Sequence, residues 1–205
     1  ILVFLFGLVG SLRGWAKEIV VAFSVVLALF VEHVFLTYLT PIRELFYGLS
    51  PDSRFYARAT VFALIVLFGY AGPTLVRMGK TPTQERLQNI LLGLFIGLIN
   101  GFLIIGTVLS YLDNAHYGIQ PEHWIVEQKT TEDGQPVVDV NGNPVLIVVG
   151  YAPEGEGVGG IRPPAPDSST TALMSFLPPE ILETWDALLY IAVAVSFIFV
   201  IVAFI

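Results

Sequence analysis

An uncharged apolar stretch runs from Leu87 to Leu112, bounded on both sides by charged residues. As an α-helix it is about 39 Å long, which exceeds the roughly 30 Å hydrocarbon core of a bilayer. Within it, glycines recur at every fourth residue, at Gly93, Gly97 and Gly101. Residues four apart share a helix face, and glycine lets a second backbone approach closely. The stretch therefore predicts a transmembrane helix with a packing face for a partner helix.

The composition of the whole chain agrees with this interpretation. Hydrophobic residues are 55% of the 205 residues and charged residues only 13%, whereas soluble domains are roughly 25% charged. Cysteine is absent, which excludes disulfides, thiolate metal sites and cysteine nucleophiles. We therefore expect a membrane protein.

Four more apolar segments accompany the first, so we expect an all-α polytopic membrane protein with about five hydrophobic helices. The predicted helices are residues 1–12, 19–39, 59–76, 87–112 and 187–205. The first is too short to span a bilayer, so we expect the sequence to begin inside a helix, and the last has no polar flank, so we expect the protein to continue past it. Gly72-Pro73 should bend the third helix, either as a static kink or as a gating hinge.

The segment from residue 113 to 186 has a different character, with twelve acidic and two basic residues. Asn141-Gly142-Asn143 lies between two β-prone runs, residues 135–140 and 144–149, and this pattern predicts a β-hairpin. Residues 123–129 are a third candidate strand. Residues 152–171 are rich in Gly, Pro and Ser and predict a linker, and residues 177–185 predict a short helix begun by proline. We therefore expect a small acidic domain.

The chain thus divides into a membrane helical domain (1–112), an acidic domain (113–186) and a last transmembrane helix (187–205). Basic residues are more frequent in the first and third connections between spans than in the second, five against three. The five are Arg13, Lys17, Arg77, Lys80 and Arg86. Because cytoplasmic loops carry the excess of Lys and Arg, we expect these two connections in the cytoplasm and the acidic domain outside it.

Polar residues inside the predicted helices are candidate functional residues, because burying them in lipid is costly. Glu32 and His33 lie in the second helix and Asn100 in the fourth. Glu32 and His33 could relay protons, line a permeation path, or, for His33, ligate a pigment or haem metal. Alternatively, they are interfacial or hydrogen-bonded structural residues. Successive residues point about 100° apart on a helix, so the two cannot both face one narrow pore.

The first helical hairpin carries a second pair of packing glycines, Gly10 and Gly14. They predict the same close approach of backbones as the stripe in the fourth helix. Arg13 lies between them, at the end of the hairpin, where it would pair with Glu18 or with lipid phosphate. A charged helix end that sets topology is the structural alternative.

The first turn reads Gly10-Ser11-Leu12-Arg13-Gly14-Trp15-Ala16-Lys17-Glu18, and the fourth helix opens with Glu85-Arg86-Leu87-Gln88-Asn89, followed by Gly93 and Gly97. These motifs resemble the G-x-x-R-G-aromatic-x-x-E turn and the acidic-Arg-Leu opening of the last span in the colicin V production protein family, which comprises bacterial inner-membrane proteins with four predicted spans. The resemblance covers Ile1 to about Leu112. The chain departs from the pattern at Glu85, where the family has aspartate, and at Asn89, where it has the first glycine of the stripe.

The resemblance implies a bacterial inner-membrane protein with a role in toxin production or export, or in envelope homeostasis. We expect a non-enzymatic protein with no catalytic residue set, metal site or cofactor. Its expected partners are the lipid bilayer and other membrane helices, in a homo-oligomer or a larger complex, and not nucleic acid, because the polar part is acidic. Two other interpretations are a structural accessory subunit of a respiratory or photosynthetic membrane complex, and a channel or transporter, which would need a polar path.

Overall fold

The computed structural model describes residues 1–71, 83–131, 134–164, 168–183 and 186–204. Most of these residues are helical. The helices are α1 (Leu2–Arg13), α2 (Trp15–Tyr38), α3 (Thr40–Tyr47), α4 (Pro51–Ala71), α5 (Thr83–Asn114), α6 (Ser169–Met174), α7 (Pro178–Glu183) and α8 (Asp186–Phe204). Two strands, β1 (Trp124–Gln128) and β2 (Leu146–Tyr151), form one small antiparallel sheet.

Three helical stretches among the described residues are long and apolar enough to cross a membrane: Trp15–Tyr38, Pro51–Ala71 and Arg86–Asn114. The apolar helices Leu2–Arg13 and Ala187–Ile198 are shorter. The mostly helical membrane architecture agrees with the sequence, but the prediction of about five hydrophobic helices is not confirmed. The predicted kink at Gly72-Pro73 lies outside the described residues, as do Arg77 and Lys80.

The connection predicted between the second and third helices is itself mostly helical. It contains α3, and α4 already begins at Pro51, well before residue 59, where the apolar window starts. Both α3 and α4 have a proline in their first turn. Proline is favoured at this position of a helix, which explains where the two helices begin. The apolar window starts only after the basic residues Arg54 and Arg58, because their charges lower the hydropathy. The helix itself includes both residues.

The helices pack around α2 and α5. α1 runs antiparallel to α5, α2 lies against both α4 and α5, and α8 lies against α2. The shared core is formed by apolar side chains of α2, α4, α5 and α8: Val25, Ala28, Leu29, Phe62, Val66, Tyr111 and Leu189. Two further glycines permit close contacts between helices. Gly69 of α4 contacts Ser24 of α2, and Gly106 of α5 contacts Pro178 of α7.

The acidic segment contains the predicted Asn-Gly turn, with the two predicted arms paired over a few residues beside it, but the regular sheet forms elsewhere. β2 contains most of the second predicted arm, and it pairs with β1, which was the third candidate strand. The first arm, residues 135–140, is not a regular strand, but it pairs with the second arm beside the turn. Val138 forms a bridge with Pro144, and the backbone N–H groups of Val145 and Asp139 donate to the carbonyls of Val137 and Asn143. Pro136 and Pro144 have no N–H to donate, so a regular ladder cannot continue through them.

The sheet joins the helices through a second apolar cluster. Leu112, Tyr117 and Ile119 are buried there, and Phe55 of α4 and Trp124 of β1 pack against them. The acidic segment therefore packs directly on the end of α5 and the start of α4.

Candidate functional site

The glycine stripe of α5 packs against α1 of the same chain. A Cβ atom added at Gly97 would lie 2.6 Å from the carbonyl oxygen of Phe6 and 3.0 Å from the Cα of Gly10. Gly93 is in equally close contact with the Gly10 carbonyl oxygen. At Gly101, the added atom would lie 3.0 Å from the Cα of Val3. This seam is backbone against backbone, so any larger side chain has to push the helices apart.

The turn between α1 and α2 is held by Asn89, one of the two departures from the family pattern. Gly14 has a φ of 86°, a conformation that favours glycine. An added Cβ there would lie 2.8 Å from the Oδ1 atom of Asn89. The same oxygen accepts a hydrogen bond from the backbone N–H of Trp15 at 3.2 Å. Asn89 thus satisfies one of the free N–H groups at the start of α2.

Arg13, Glu18 and Asn100 form a buried polar joint between α1, α2 and α5. Glu18 is fully buried, and its carboxylate accepts from Arg13 at 2.7 Å and from the Asn100 Nδ2 atom at 2.9 Å. Asn100 also donates to the Glu18 main-chain oxygen at 2.8 Å. Arg13 in turn donates to the Tyr70 carbonyl at 3.1 Å and stacks 4.4 Å from the centre of its ring. Of the two partners predicted for Arg13, the structure therefore shows Glu18.

Sequence analysis identified Arg13 and Asn100 as candidate residues, but it considered Glu18 only as a possible partner of Arg13. The available signal was the Arg-Gly-x-x-x-Glu spacing, which brings the two charges together once the chain reverses at Gly14. Among the residues that the structure describes, the other predicted topology residues, Lys17 and Arg86, take no part in the hydrogen bonds of this joint. Lys17 is half-buried and Arg86 is exposed.

A second polar joint, toward the other end of α2, contains Glu32. Its carboxylate accepts hydrogen bonds from Arg58 of α4 and from the Tyr111 hydroxyl of α5. The Arg58 guanidinium also lies 4.3 Å from the centre of the Tyr111 ring. Sequence reasoning missed Arg58 and Tyr111 as partners, because they are distant in the chain and meet only through the packing of three helices.

His33 has partners different from those of Glu32, although both side chains line the same cavity. Its Nε2 atom lies 3.3 Å from the hydroxyl oxygen of Tyr190 in α8, and that oxygen lies 2.9 Å from the hydroxyl oxygen of Tyr38. The Nε2 atom is one of the two nitrogens through which His33 would ligate a pigment or haem metal. Here His33 joins α2 to α8.

A cavity of about 550 Å³ opens between these groups. Its polar lining includes Glu32, His33, Arg54, Arg58 and Asn114. A second, apolar groove of about 200 Å³ adjoins it and shares Glu32 and Arg58.

The polar residues deeper in α5 are separate from the cavity. Asn100 and Thr107 are fully buried, and neither lines the cavity or the groove. Glu18 and Glu32 are about 21 Å apart along α2, and the buried α2 residues between them include Val25, Ala28 and Leu29. The two joints are therefore distinct sites along α2.

A third polar cluster lies where the acidic segment meets the helices. The His116 Nδ1 atom is 3.1 Å from the Tyr151 hydroxyl oxygen, and the His116 ring centre is 4.2 Å from that of Trp124. Burial lowers the pKa of His116 below its ordinary value and raises the pKa of Tyr151 to about 12. His116 and Tyr117 both have positive φ angles, of 49° and 57°, so this junction is a tight reversal of the chain.

A family model described as Colicin V production protein matches residues 1–130. The matched region contains α1 to α5, and with them the glycine seam and both polar joints. No curated protein and no solved structure matches the chain.

Proposed function

Because the chain belongs to the colicin V production protein family, we propose that it is a non-enzymatic, multi-pass protein of the bacterial cytoplasmic membrane that assists toxin production or export. Family membership supports a role in toxin production, and the three apolar helices fit a membrane protein. Envelope homeostasis is the second process to which such a protein would contribute.

One observation carries this proposal: the two motifs that resemble the family meet at a single joint. Gly10 of the first motif packs on Gly93 of the second. Beside this contact, Glu18 of the first motif accepts hydrogen bonds from Arg13 and from Asn100, which follows the second motif along α5. Arg13, Glu18 and Asn100 bond to one another, which stabilises the arrangement of α1, α2 and α5. A joint of this kind supports a structural and supporting role for the helices rather than catalysis.

The accessory-subunit interpretation is the second candidate, and one surface favours it. The small sheet exposes several apolar side chains, namely Ile125, Val126, Leu146 and Ile147. A partner protein that covered this surface would bury apolar area. The glycine stripe does not serve the same purpose, because α1 of the same chain already covers it.

Secretion of a peptide toxin tests the leading proposal. The chain would be expressed in a bacterium that produces colicin V and lacks its own member of the family, and active toxin would be measured in the medium and in the cells. We expect the chain to restore toxin in the medium and the Gly97→Leu variant to fail. The lipid-facing variant Phe95→Leu on the same helix is the matched control, because Phe95 is exposed. Unchanged toxin levels with a chain that is correctly inserted in the membrane would overturn the proposal.

A further inference from the structure

The polar cavity carries more positive than negative charge. Among the described residues, Arg54 and Arg58 line it against the carboxylate of Glu32, with His33 and Asn114 alongside. Its volume of about 550 Å³ lies in the range of roughly 300–1,000 Å³ that is typical of small-molecule sites. The charge and the size together suit an anionic group.

Of the two arginines, Arg58 is already engaged and Arg54 is available. Arg58 donates to Glu32 and lies over the Tyr111 ring. Arg54 donates through Nε to the Leu49 carbonyl at 2.9 Å and forms no salt bridge with any residue that the structure describes. A guanidinium so placed can donate from its remaining N–H groups to a phosphate.

The adjoining groove is apolar and lies beneath an amphipathic helix. Ile42, Leu45 and Phe46 are on one face of α3 and line the groove, whereas Arg43 and Glu44 occupy other positions of the helix. Short helices of this pattern lie in the plane of the membrane interface, with the apolar face toward the acyl chains. Most of the remaining lining is apolar and comes from α2 and α4, including Phe35, Val61 and Phe62. Glu32, Arg58 and Tyr111 line both the groove and the cavity.

We propose that the cavity and the groove together bind one anionic phospholipid. Its phosphate lies beside Arg54 in the cavity, and one of its acyl chains occupies the groove under α3. A free phosphate ion would leave the apolar groove unfilled, and a zwitterionic lipid would bring a second cationic group into a cavity that Arg54 and Arg58 already make positive. The two spaces share Glu32 and Arg58, so a single amphiphile can reach from one into the other.

Native mass spectrometry in a neutral detergent tests the headgroup half of the site. The full chain would be titrated with phosphatidylglycerol, with zwitterionic phosphatidylcholine, and with glycerol phosphate as a soluble anion. We expect phosphatidylglycerol to be retained most strongly, and Arg54→Gln to weaken its retention roughly tenfold, which is the effect of one lost charge-assisted hydrogen bond. Arg43→Gln removes the same charge from exposed α3 and should leave retention unchanged. Arg54→Lys should retain most of it.

A second pair of variants tests the apolar half. Ala57→Phe places a ring in the groove that Ala57 lines, and it should weaken retention of phosphatidylglycerol severalfold. Leu64→Phe changes an exposed position of the same helix and should not. Equal retention of phosphatidylcholine, equal losses for Arg54→Gln and Arg43→Gln, or displacement of the lipid by glycerol phosphate would each overturn the proposal. A thermal unfolding midpoint within error of the unmodified chain is required of every variant. If Arg54→Gln does not fold, the comparison of phosphatidylglycerol with phosphatidylcholine on the unmodified chain tests the head site.

Discussion

Glu18 shows how a single residue can determine the packing of several helices. A carboxylate that is fully buried is costly unless it is paired and hydrogen-bonded. Arg13 supplies the opposite charge, and Asn100 of α5 donates to the carboxylate and also to the Glu18 main-chain oxygen. The carboxylate therefore favours one relative position of α1, α2 and α5.

Replacing one partner of this buried pair should be more harmful than replacing both. Glu18→Ala leaves Arg13 without its carboxylate and should lower the free energy of unfolding by about 3–5 kcal/mol. The double variant with Arg13→Met and Glu18→Leu removes both charges and should lose less. Thermal unfolding in detergent measures both effects, with the exposed Arg43→Ala as control. Strictly additive losses would show that the two side chains do not act as a pair.

His116 should make the junction with the acidic segment sensitive to pH. Burial lowers its pKa in the folded protein, whereas in the unfolded chain it is about 6.5. Between these two values the unfolded state binds more protons, so stability should fall as pH decreases through about 6.5 and level off below the folded pKa.

Titration of the His116 ring resonance by NMR, together with unfolding between pH 7.5 and 5, tests this expectation. The His116→Phe variant keeps a ring against Trp124 and should lose this part of the pH dependence, while the contribution of the carboxylates remains in both proteins. A His116 titration midpoint at or above 6.5 would refute the burial effect.

At the scale of helices and strands, the glycine seam between α1 and α5 depends on the absence of side chains. A single Cβ at Gly97 would lie 2.6 Å from the Phe6 carbonyl oxygen, which is closer than van der Waals contact allows. Dispersion between the two backbones stabilises such a seam in lipid, where there is no hydrophobic drive between helices.

Gly97→Leu should separate α1 from α5 and lower the thermal unfolding midpoint, and Gly97→Ala should do so to a smaller extent. Phe95→Leu, at a lipid-facing position, should have little effect. Because both helices belong to one chain, the oligomeric state on native gels should not be what changes. A complex that dissociates while each chain keeps its thermal stability would contradict an intramolecular seam.

The sequence predicted these elements unequally, for physical reasons. Hydropathy identifies α2 and the apolar part of α5, since a long apolar run in lipid is helical by necessity. It misses α3, because this helix is short and carries Arg43 and Glu44 among its apolar residues. The local pattern also does not show that the regular sheet pairs β1 with β2, and Pro136 in the first arm and Pro144 in the second interrupt the predicted hairpin ladder.

Several individual residues of the candidate site were predicted from the sequence, but the contacts between them were not. Glycine spacing and buried polar residues point to Gly97, Asn100 and Glu32 without showing what each contacts. The partners Arg58 and Tyr111 come from other helices, and their approach depends on helix crossing, which no local pattern encodes. Asn89 is a residue whose role becomes clear only once the turn at Gly14 is seen.

The whole molecule combines an apolar surface with a strongly acidic segment. Large apolar side chains are exposed along α4, among them Leu64, Leu67 and Phe68, the last with 77% of its surface accessible. Exposed apolar surface of this extent is typical of contact with lipid. The acidic segment extends from the end of α5, so the charge of the molecule is concentrated at one end.

We predict that α5 crosses the membrane and that the acidic segment lies outside the cytoplasm. The chain has no cysteine, so single cysteines can report the side on which each position lies. Val140→Cys, at a fully exposed position, should react with a membrane-impermeant maleimide in intact cells whose outer membrane has been permeabilised. Gln88→Cys, near the start of α5, should react only after the cytoplasmic membrane is opened. Labelling of both positions from the same side would contradict the account.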